Sequence, residues 1–390
     1  MPGIKEYIQA FGDVPFAARP FGDADNLTLC QVFYMPFEQV VSPDFSAEPV
    51  PFSDVCYAMF AKRGYHHSRL GLMIPNDASV NMMAMEPMKR FAEMKLWAVQ
   101  ETFEHEPAVQ FAAGTFLLPD GTAVIIYRGT DDTIIGWKED MDIFINGSIP
   151  SYQLALDYLN GVAAHTEGNI ILCGHSKGGH LALYAALKTD AATRARIQRV
   201  YNNDGPGYED YSLFATDASR EILPRYRHLV PHSSAVGMVL SHDYDFTAVV
   251  SNLPLGPLQH DLCSWQIENG ELVTREDVDN MAKITDVAFS EFLGSFSDAS
   301  RQNAGDIAAT LIRAVNIDSL ADTARQLPQA ARRFGEGWFG IAKDARKLFW
   351  KTIAPMPKII VSAAKNIKEE TVPNAAKAAA VYLGKASATV

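Results

Sequence analysis

The residues of this chain that most clearly could do chemistry lie at positions 174–179, which read GHSKGG. A serine becomes a strong nucleophile when a base takes its proton and the chain holds its hydroxyl clear of other atoms. Small residues two positions to either side of Ser176 allow a sharp backbone turn there. The spacing predicts a nucleophilic serine on that turn, and a plain tight turn is the alternative. His175 and His180 are expected to pack beside the turn rather than act as the base.

A nucleophilic serine needs a base, and the base needs an acid that orients it. His260 is the preferred base, because it lies in a loop downstream of the strand-like segments; a surface histidine is the alternative. Asp204 is the preferred acid, because it directly follows a strand-like run, where open α/β sheets place their ligand groups. A turn-forming aspartate before Gly-Pro is the alternative there. Asp243 and Asp245 are rival acids, although they look like a solvated hairpin tip.

Acyl transfer also requires two donors for the oxyanion that forms on the substrate. The residue after the nucleophile supplies one backbone N–H, which makes Lys177 the first candidate. The segment from Arg128 to Asp132 ends a strand-like run and contains Gly129, so Thr130 is the second candidate. Thr130 or Asp131 as a helix N-cap is the alternative, and both roles are compatible.

The elements that must position these residues alternate between strand and helix patterns. Strand-like runs occupy 109–118, 122–128, 169–173, 199–203 and 226–230, and helical patterns occupy 134–146, 150–166, 180–187 and 217–223. This alternation predicts a mainly parallel sheet with helices on both faces. Because a strand, the Gly-x-Ser-x-Gly turn and a helix follow one another, the expected fold class is an α/β-hydrolase.

The remaining segments are predicted from weaker patterns. We expect residues 1 to about 50 to be loop-rich, with helices over 53–63 and 86–104. Residues 236–240 and 246–251 look like a late hairpin, and the chain is helical in pattern from about 275 onward. Residues 1–275 are therefore interpreted as the hydrolase domain with an N-terminal loop and helix segment. Residues 276–390 are interpreted as a helical extension that caps the domain or faces a membrane.

Charge is distributed unevenly over the 390 residues. The net charge is −12, yet residues 331–390 carry a net +7, so the rest of the chain carries −19. Apolar residues between 338 and 353 recur near helical spacing among lysines and arginines. Such a helix lies on an anionic membrane or docks on the acidic body of the protein itself, and docking is favoured. The acidic body argues against binding to nucleic acid.

Composition predicts a cytoplasmic protein. The four cysteines are scattered without a C-x-x-C pair, which is typical of free thiols in a reducing compartment. No apolar run is long enough to span a bilayer, and the N-terminus lacks the apolar core of a signal peptide. The chemistry predicted from the serine motif requires neither a metal nor an organic cofactor.

Several of these segments resemble lipases. Residues 127–130 followed by 136–140, the GHSKGG turn, and His260 followed by Trp265 are similar to the corresponding segments of fungal-type (class 3) triacylglycerol lipases. The closer resemblance, over roughly residues 25–275, is to the Mbeg-like family, a bacterial group of lipase-like hydrolases. It rests on Lys177 and on the segments 203–207 (NDGPG), 236–238 (VGM) and 259–265 (QHDLCSW).

The resemblance implies Ser176 as the nucleophile, His260 as the base, and Thr130 with Lys177 at the oxyanion hole. One feature departs from class 3 lipases, which carry their acid one strand later; residues 230–237 contain no carboxylate here. The position of Asp204 is instead similar to that of the acid in pancreatic-type lipases. The hypothesis is a serine hydrolase that cleaves a carboxylic ester of a small molecule or lipid. A thioesterase, a peptidase and a non-catalytic binding or scaffold protein on the same fold are the alternatives.

Overall fold

The computed structural model describes residues 2–63, 77–131, 133–240, 244–254, 256–297 and 327–366, with residues 299–300, 303–304, 306–307 and 310. The α-helices are α1 (Ile4–Phe11), α2 (Asp23–Val32), α3 (Phe52–Arg63), α4 (Asp77–Met85), α5 (Lys89–Ala92), α6 (Ile134–Asn146), α7 (Ser151–His165), α8 (Lys177–Lys188), α9 (Ala191–Arg196), α10 (Asp217–Ile222), α11 (Asn280–Gly294), α12 (Leu327–Gly340), α13 (Lys343–Ile353) and α14 (Met356–Asn366). The strands are β1 (Val50–Pro51), β2 (Lys95–Glu104), β3 (Val109–Leu117), β4 (Ala123–Tyr127), β5 (Ile170–His175), β6 (Ile197–Asn203), β7 (Tyr226–Pro231), β8 (Phe246–Val249), β9 (Ile267–Glu268), β10 (Glu271–Leu272) and β11 (Thr274–Arg275).

Nine of the described strands form one sheet, in the order β1-β2-β3-β4-β5-β6-β7-β8-β11. Strands β4 to β8 run parallel to one another. Strands β1 to β4 pair antiparallel in sequence, and β11 pairs antiparallel with β8 at the other edge. Helices lie in the connections from β4 to β5, from β5 to β6 and from β6 to β7, because a parallel connection must cross from one end of the sheet to the other. The predicted fold class, an α/β-hydrolase with a mainly parallel sheet, is confirmed.

Two hydrophobic cores lie on opposite faces of this sheet. Alternate side chains of a strand point to opposite faces. Accordingly, Ile126 and Cys173 belong to one core, which also contains residues of α1 to α4. Ile125 and Leu172 belong to the other core, together with residues of α7 and α8. The strands are therefore buried on both faces, as the continuous apolar runs of β4 and β5 predict.

The predicted helix over 86–104 is wrong. Residues 89–92 form the short helix α5, and residues 95–104 form strand β2, which pairs antiparallel with β3. Four consecutive residues of β2, from Leu96 to Val99, are buried, so the segment lacks the alternation that marks a half-exposed strand. The register of β2 also shifts between Trp97 and Gln100. Pairing with β3, which sequence periodicity does not reveal, decided the structure.

The expectation of a loop-rich N-terminus misses two helices, because α1 and α2 lie within it. Helix α2 is buried on all sides, and its polar residues face protein partners instead of solvent. Asp25 forms a buried ion pair with Arg90 at 2.6 Å, and the Asn26 side-chain nitrogen lies 2.8 Å from the side-chain oxygen of Asn203. A helix that buries polar residues all round shows no amphipathic period, and this hid α2 from pattern analysis.

The predicted late hairpin is wrong in its first strand. Residues 236–240 form turns, and β8 pairs with β7 and β11 instead. The backbone of these turns bonds elsewhere: Gly237 donates to the Asp204 carboxylate, and the Val239 carbonyl accepts from Gly207. The predicted helix over 53–63 corresponds to α3, which spans Phe52–Arg63.

The C-terminal part of the described chain is helical, as expected from about residue 275. Helix α11 packs against the sheet, with Leu293 in the core that contains α7 and α8. Ile359 and Ile360 of α14 pack against Ile284 and Ala288 of α11. Residues 367–390 of the basic region lie outside the described residues. Within the described part of the chain, the helices are too short or too polar to cross a membrane.

Candidate active site

Ser176 lies on a strained turn between β5 and α8. Its backbone has φ 55° and ψ −130°, a conformation that costs free energy for a residue with a Cβ. Surrounding backbone bonds hold it there: the Ser176 N–H donates to the Asn203 carbonyl at 2.9 Å, and Gly179 N–H donates to the Ser176 carbonyl at 3.0 Å. Such strain persists where the fold over-determines it, which is typical of functional positions.

Two glycines allow this turn to form. A Cβ built on Gly174 would lie 2.1 Å from the carbonyl carbon of Gly178. A Cβ built on Gly178 would lie 2.0 Å from the Tyr127 carbonyl oxygen of β4. Backbone atoms cannot move aside as a flexible side chain can, so both positions require glycine. The Gly-x-Ser-x-Gly spacing is therefore a consequence of how closely β4, β5 and α8 approach.

His260 and Asp204 lie in hydrogen-bonding contact. His260 is the last residue of a 3-10 helix, Gly256–His260, and Asp204 follows directly after β6. The distance from His260 Nδ1 to Asp204 Oδ2 is 2.7 Å. The other carboxylate oxygen, Oδ1, accepts from Ser234 Oγ at 2.5 Å and from the Gly237 N–H at 2.9 Å. Asp204 is fully buried, so these three donors compensate its lost hydration.

The rival acids do not share this position. Asp245 is exposed directly before β8, as a solvated aspartate would be. Asp243 lies outside the described residues. Ser234 was not anticipated from the sequence, because nothing in its local pattern shows that its hydroxyl meets a carboxylate thirty residues away.

His175 connects the serine turn to the His260 loop. Its Nε2 lies 2.9 Å from the main-chain oxygen of His260, and its Nδ1 lies 2.8 Å from the Tyr34 hydroxyl. Burial lowers the pKa of His175 well below its usual range, and the nearby His260 lowers it further. The ring is therefore neutral. Since a carbonyl only accepts, Nε2 carries the hydrogen and Nδ1 accepts from Tyr34.

The loop after β4 passes directly over the serine turn. A Cβ built on Gly129 would lie 2.4 Å from the His175 carbonyl oxygen and 3.2 Å from the Ser176 Cβ. Thr130, the next residue, donates its hydroxyl to Asp140 Oδ1 at 2.6 Å. The N-cap of α6 is Thr133, whose Oγ1 accepts from the Gly136 N–H. The alternative in which Thr130 or Asp131 caps this helix is therefore wrong.

Asp140 is the partner that holds the Thr130 side chain. Burial raises the pKa of Asp140, whereas the Lys177 ammonium and the hydrogen bond from Thr130 act to lower it. The Lys177 Nζ lies 3.9 Å from Asp140 Oδ1 and 2.6 Å from Glu139 Oε2. The sequence predicts a role for the Lys177 backbone N–H, and the structure adds that the Lys177 side chain binds Glu139.

A cavity of about 660 Å³ opens beside Ser176. Ser176, His260, Thr130 and Lys177 all line it, whereas Asp204 lies behind the His260 ring. Most of the other lining residues are apolar: Trp137, Met141, Ile143, Phe144, Val236, Val239, Leu253, Pro257, Leu258, Leu262 and Phe289. Phe289 belongs to α11, within the segment interpreted as an extension, and its ring packs on Phe144 with centroids 5.3 Å apart.

The arrangement brings together the residue types that nucleophilic chemistry requires. It combines a half-buried serine on a strained turn, an imidazole hydrogen-bonded to a buried carboxylate, and backbone donors at the N-terminus of α8. Among the described residues, no group of three or more His, Cys, Asp or Glu side chains is placed to hold a metal.

Fold and site together define a protein of the α/β-hydrolase type. Over residues 85–308, more than half of its length, the sequence matches the Mbeg1-like family. The chain belongs to the Mbeg1-like family. The predicted resemblance to that family is thereby confirmed, and the more distant resemblance to class 3 lipases stays a prediction. Neither the curated proteins nor the solved structures contain a significant match to the chain.

Proposed function

We propose that the protein is a serine hydrolase that cleaves carboxylic esters through an acyl-enzyme. The observation that carries this proposal is that the strained Ser176 lines the same cavity as His260, whose Nδ1 is bound to the buried Asp204. With Nδ1–H donated to the carboxylate, Nε2 of His260 carries the lone pair. His260 takes the Ser176 proton as Oγ attacks the ester carbonyl, and then gives it to the departing alcohol. Water deprotonated by His260 next attacks the acyl carbon, which releases the acid and frees Ser176.

The oxyanion of each tetrahedral intermediate is assigned to the backbone N–H groups of Thr130 and Lys177. Lys177 is the first residue of α8, so its N–H belongs to the unpaired, positive end of that helix. Thr130 follows the glycine that packs against the serine turn. Two donors that are fixed before the reaction stabilise developing charge more strongly than reorienting water does.

The lining of the cavity supports an uncharged ester with an apolar acyl group as the substrate. A volume of about 660 Å³ accommodates a ligand of small-molecule size. The Lys177 ammonium is engaged by Glu139, so it is not placed to attract an anionic substrate. The exposed side chains of Trp137, Met141 and Leu258 also line the cavity, which gives its mouth an apolar rim for a lipid ester.

Labelling with a fluorophosphonate probe tests the proposal directly. The probe is expected to form a covalent adduct on Ser176 of the wild-type protein and none on Ser176→Ala. A panel of p-nitrophenyl esters of increasing chain length, with thioesters and amides of the same acyl groups, then identifies the preferred bond. Undiminished ester hydrolysis by Ser176→Ala would refute the proposal.

We further propose that α12 and α13 contact an anionic membrane surface from a cytoplasmic location. Phe339 is 75% exposed and Trp350 is 52% exposed, and the exposed lysines Lys343, Lys347 and Lys351 lie on α13 with Trp350. Exposed aromatic rings beside cations are typical of a helix at the surface of anionic lipid. Docking on the body, the favoured alternative from the sequence, is supported for α14, whose Ile359 and Ile360 pack on α11.

A further inference from the structure

A buried ion pair joins the serine turn to α6. The Lys177 side chain is 1% exposed and that of Glu139 is 0% exposed, and Nζ lies 2.6 Å from Glu139 Oε2. Nζ also donates to the main-chain oxygen of Gln110 at 2.8 Å and to its side-chain oxygen at 3.0 Å. All three ammonium hydrogens therefore have acceptors inside the protein.

Glu139 is equally well satisfied. Its Oε2 also accepts from the Gln110 N–H at 3.0 Å, and its Oε1 accepts from the hydroxyl and the N–H of Ser151 at the start of α7. The pair therefore fixes α6 relative to β3, α7 and the serine turn at once. Gly136 allows this contact to be close, because a Cβ there would lie 2.9 Å from Thr130 Cγ2 and 3.0 Å from the Gln110 side-chain oxygen.

The same helix holds the second oxyanion donor. Asp140, next to Glu139 in the chain, accepts the Thr130 hydroxyl at 2.6 Å. A continuous path of contacts thus runs from Lys177 Nζ through Glu139 and Asp140 of α6 to Thr130. Its two ends are the residues whose backbone N–H groups are assigned to the oxyanion.

Stability alone does not account for a buried ion pair of this kind. Taking two charges out of water costs free energy that their attraction often fails to recover, and apolar replacements can be as stable or more so. Such a pair can instead favour catalysis by holding hydrogen-bond donors in place, because donors that are fixed before the reaction need no reorganisation during it. A shift of one donor by about 1 Å is enough to lower a rate substantially.

We propose that the Lys177 side chain is a positioning residue, which acts through Glu139 and Asp140 to set the distance between the Lys177 and Thr130 N–H donors. Lys177 thereby has two separable roles, since its backbone N–H is an oxyanion donor and its ammonium fixes the partner donor. The inference rests on the proposed acyl-transfer function, but the positioning of the Thr130 loop is measurable without any turnover.

The test uses the full-length double variant Lys177→Met with Glu139→Gln. Both charges are removed, and the backbone N–H of residue 177 is kept. The amide oxygen introduced at position 139 can still accept from the Gln110 N–H, while the new NH₂ group can donate to the Ser151 hydroxyl. Glu139→Gln alone is the milder variant if the double variant folds poorly, and it should change the same measurements in the same direction. Arg194→Met with Glu221→Gln, which removes the 2.9 Å ion pair between α9 and α10, is the matched control.

Loss of one oxyanion donor typically lowers kcat on the order of 10²-fold, so we expect a fall of about 10- to 100-fold in kcat for the double variant. KM should stay within about twofold, because the ground-state ester makes little use of these donors. The affinity for an alkyl boronic acid, which forms a tetrahedral adduct on Ser176, should fall by the same factor as kcat. Amide hydrogen exchange of the Thr130 loop and α6 should become faster, whereas the control variant should match the wild type in every measurement.

Boronic acid affinity equal to that of the wild type, or unchanged exchange in the Thr130 loop, would overturn the positioning role whatever happens to KM. Absence of ester hydrolysis and of fluorophosphonate labelling in the wild type would refute the proposed function instead. In that case the exchange measurement still decides whether Lys177 fixes the loop.

Discussion

The substitution Asp204→Asn makes the sharpest test of the proposed triad. Asparagine has nearly the shape of aspartate but replaces one carboxylate oxygen by an NH₂ group that only donates. In the folded protein Oδ1 accepts from the Gly237 N–H and from Ser234, while Oδ2 faces His260 Nδ1. The Gly237 N–H cannot turn into an acceptor, so the asparagine oxygen must keep facing it. The NH₂ group is then directed at His260.

This orientation forces the wrong tautomer of His260. An NH₂ group that donates to Nδ1 leaves the hydrogen of the neutral imidazole on Nε2, where it cannot accept the proton of Ser176. Comparable changes in serine hydrolases lower the rate by about 10⁴-fold, which corresponds to about 5.5 kcal/mol in the activation free energy. We therefore expect kcat/KM for a short p-nitrophenyl ester to fall by about 10³- to 10⁴-fold. Fluorophosphonate labelling should slow in parallel.

The matched control is Asp245→Asn, which makes the same chemical change at an exposed aspartate. Its kcat/KM should equal that of the wild type. Thermal unfolding of both variants shows whether loss of activity simply reflects loss of folded protein. If folded Asp204→Asn keeps more than about a tenth of the wild-type kcat/KM, then Asp204 does not orient the base, and the tautomer reasoning fails.

Three further predictions follow from the described contacts. Since burial lowers the pKa of His175, only the unfolded chain binds a proton there below about pH 6.5. The free energy of unfolding should therefore decrease as the pH is lowered below that value, by up to about 1.4 kcal/mol per pH unit. His175→Asn should remove this part of the pH dependence, measured by chemical denaturation at several pH values. An identical pH dependence of the unfolding free energy in the wild type and in His175→Asn would contradict the assignment of a neutral, buried His175. Gly178→Ala should abolish folding or the labelling of Ser176, because its Cβ would lie 2.0 Å from the Tyr127 carbonyl oxygen of β4. Gly335→Ala, whose Cβ would have nothing within 4 Å, should instead raise the free energy of unfolding by about 0.5–1 kcal/mol, measured by thermal or denaturant unfolding. Replacing Phe339 and Trp350 by alanine should reduce co-sedimentation with anionic liposomes several-fold and leave that with neutral liposomes unchanged. Equal co-sedimentation of the variant and the wild type with anionic liposomes would argue that α12 and α13 dock on the body of the protein instead.

The serine turn and the order of its neighbouring elements were predictable because they depend on local backbone constraints. Gly174 and Gly178 mark places where main chains come within contact distance, and only glycine tolerates that. Strands β3 to β7 are recognisable as apolar runs between helical patterns, since a parallel sheet buries both faces of each strand. Hence the fold class, Ser176 and the preference for His260 could be derived from the sequence alone.

The tertiary structure decided which residues become partners. Asp204, Ser234 and His260 come from three different segments: Asp204 and Ser234 follow the carboxyl ends of β6 and β7, and His260 ends a 3-10 helix. Their distances depend on how these segments pack together. Strand β2 and helix α2 were misjudged for a related reason: their buried faces are set by β3 and by polar partners that are distant in the chain. The sequence likewise placed Lys177 beside the nucleophile. Only the folded chain directs its ammonium to Glu139, because long-range burial, rather than local spacing, determines where a flexible side chain finds its acceptors.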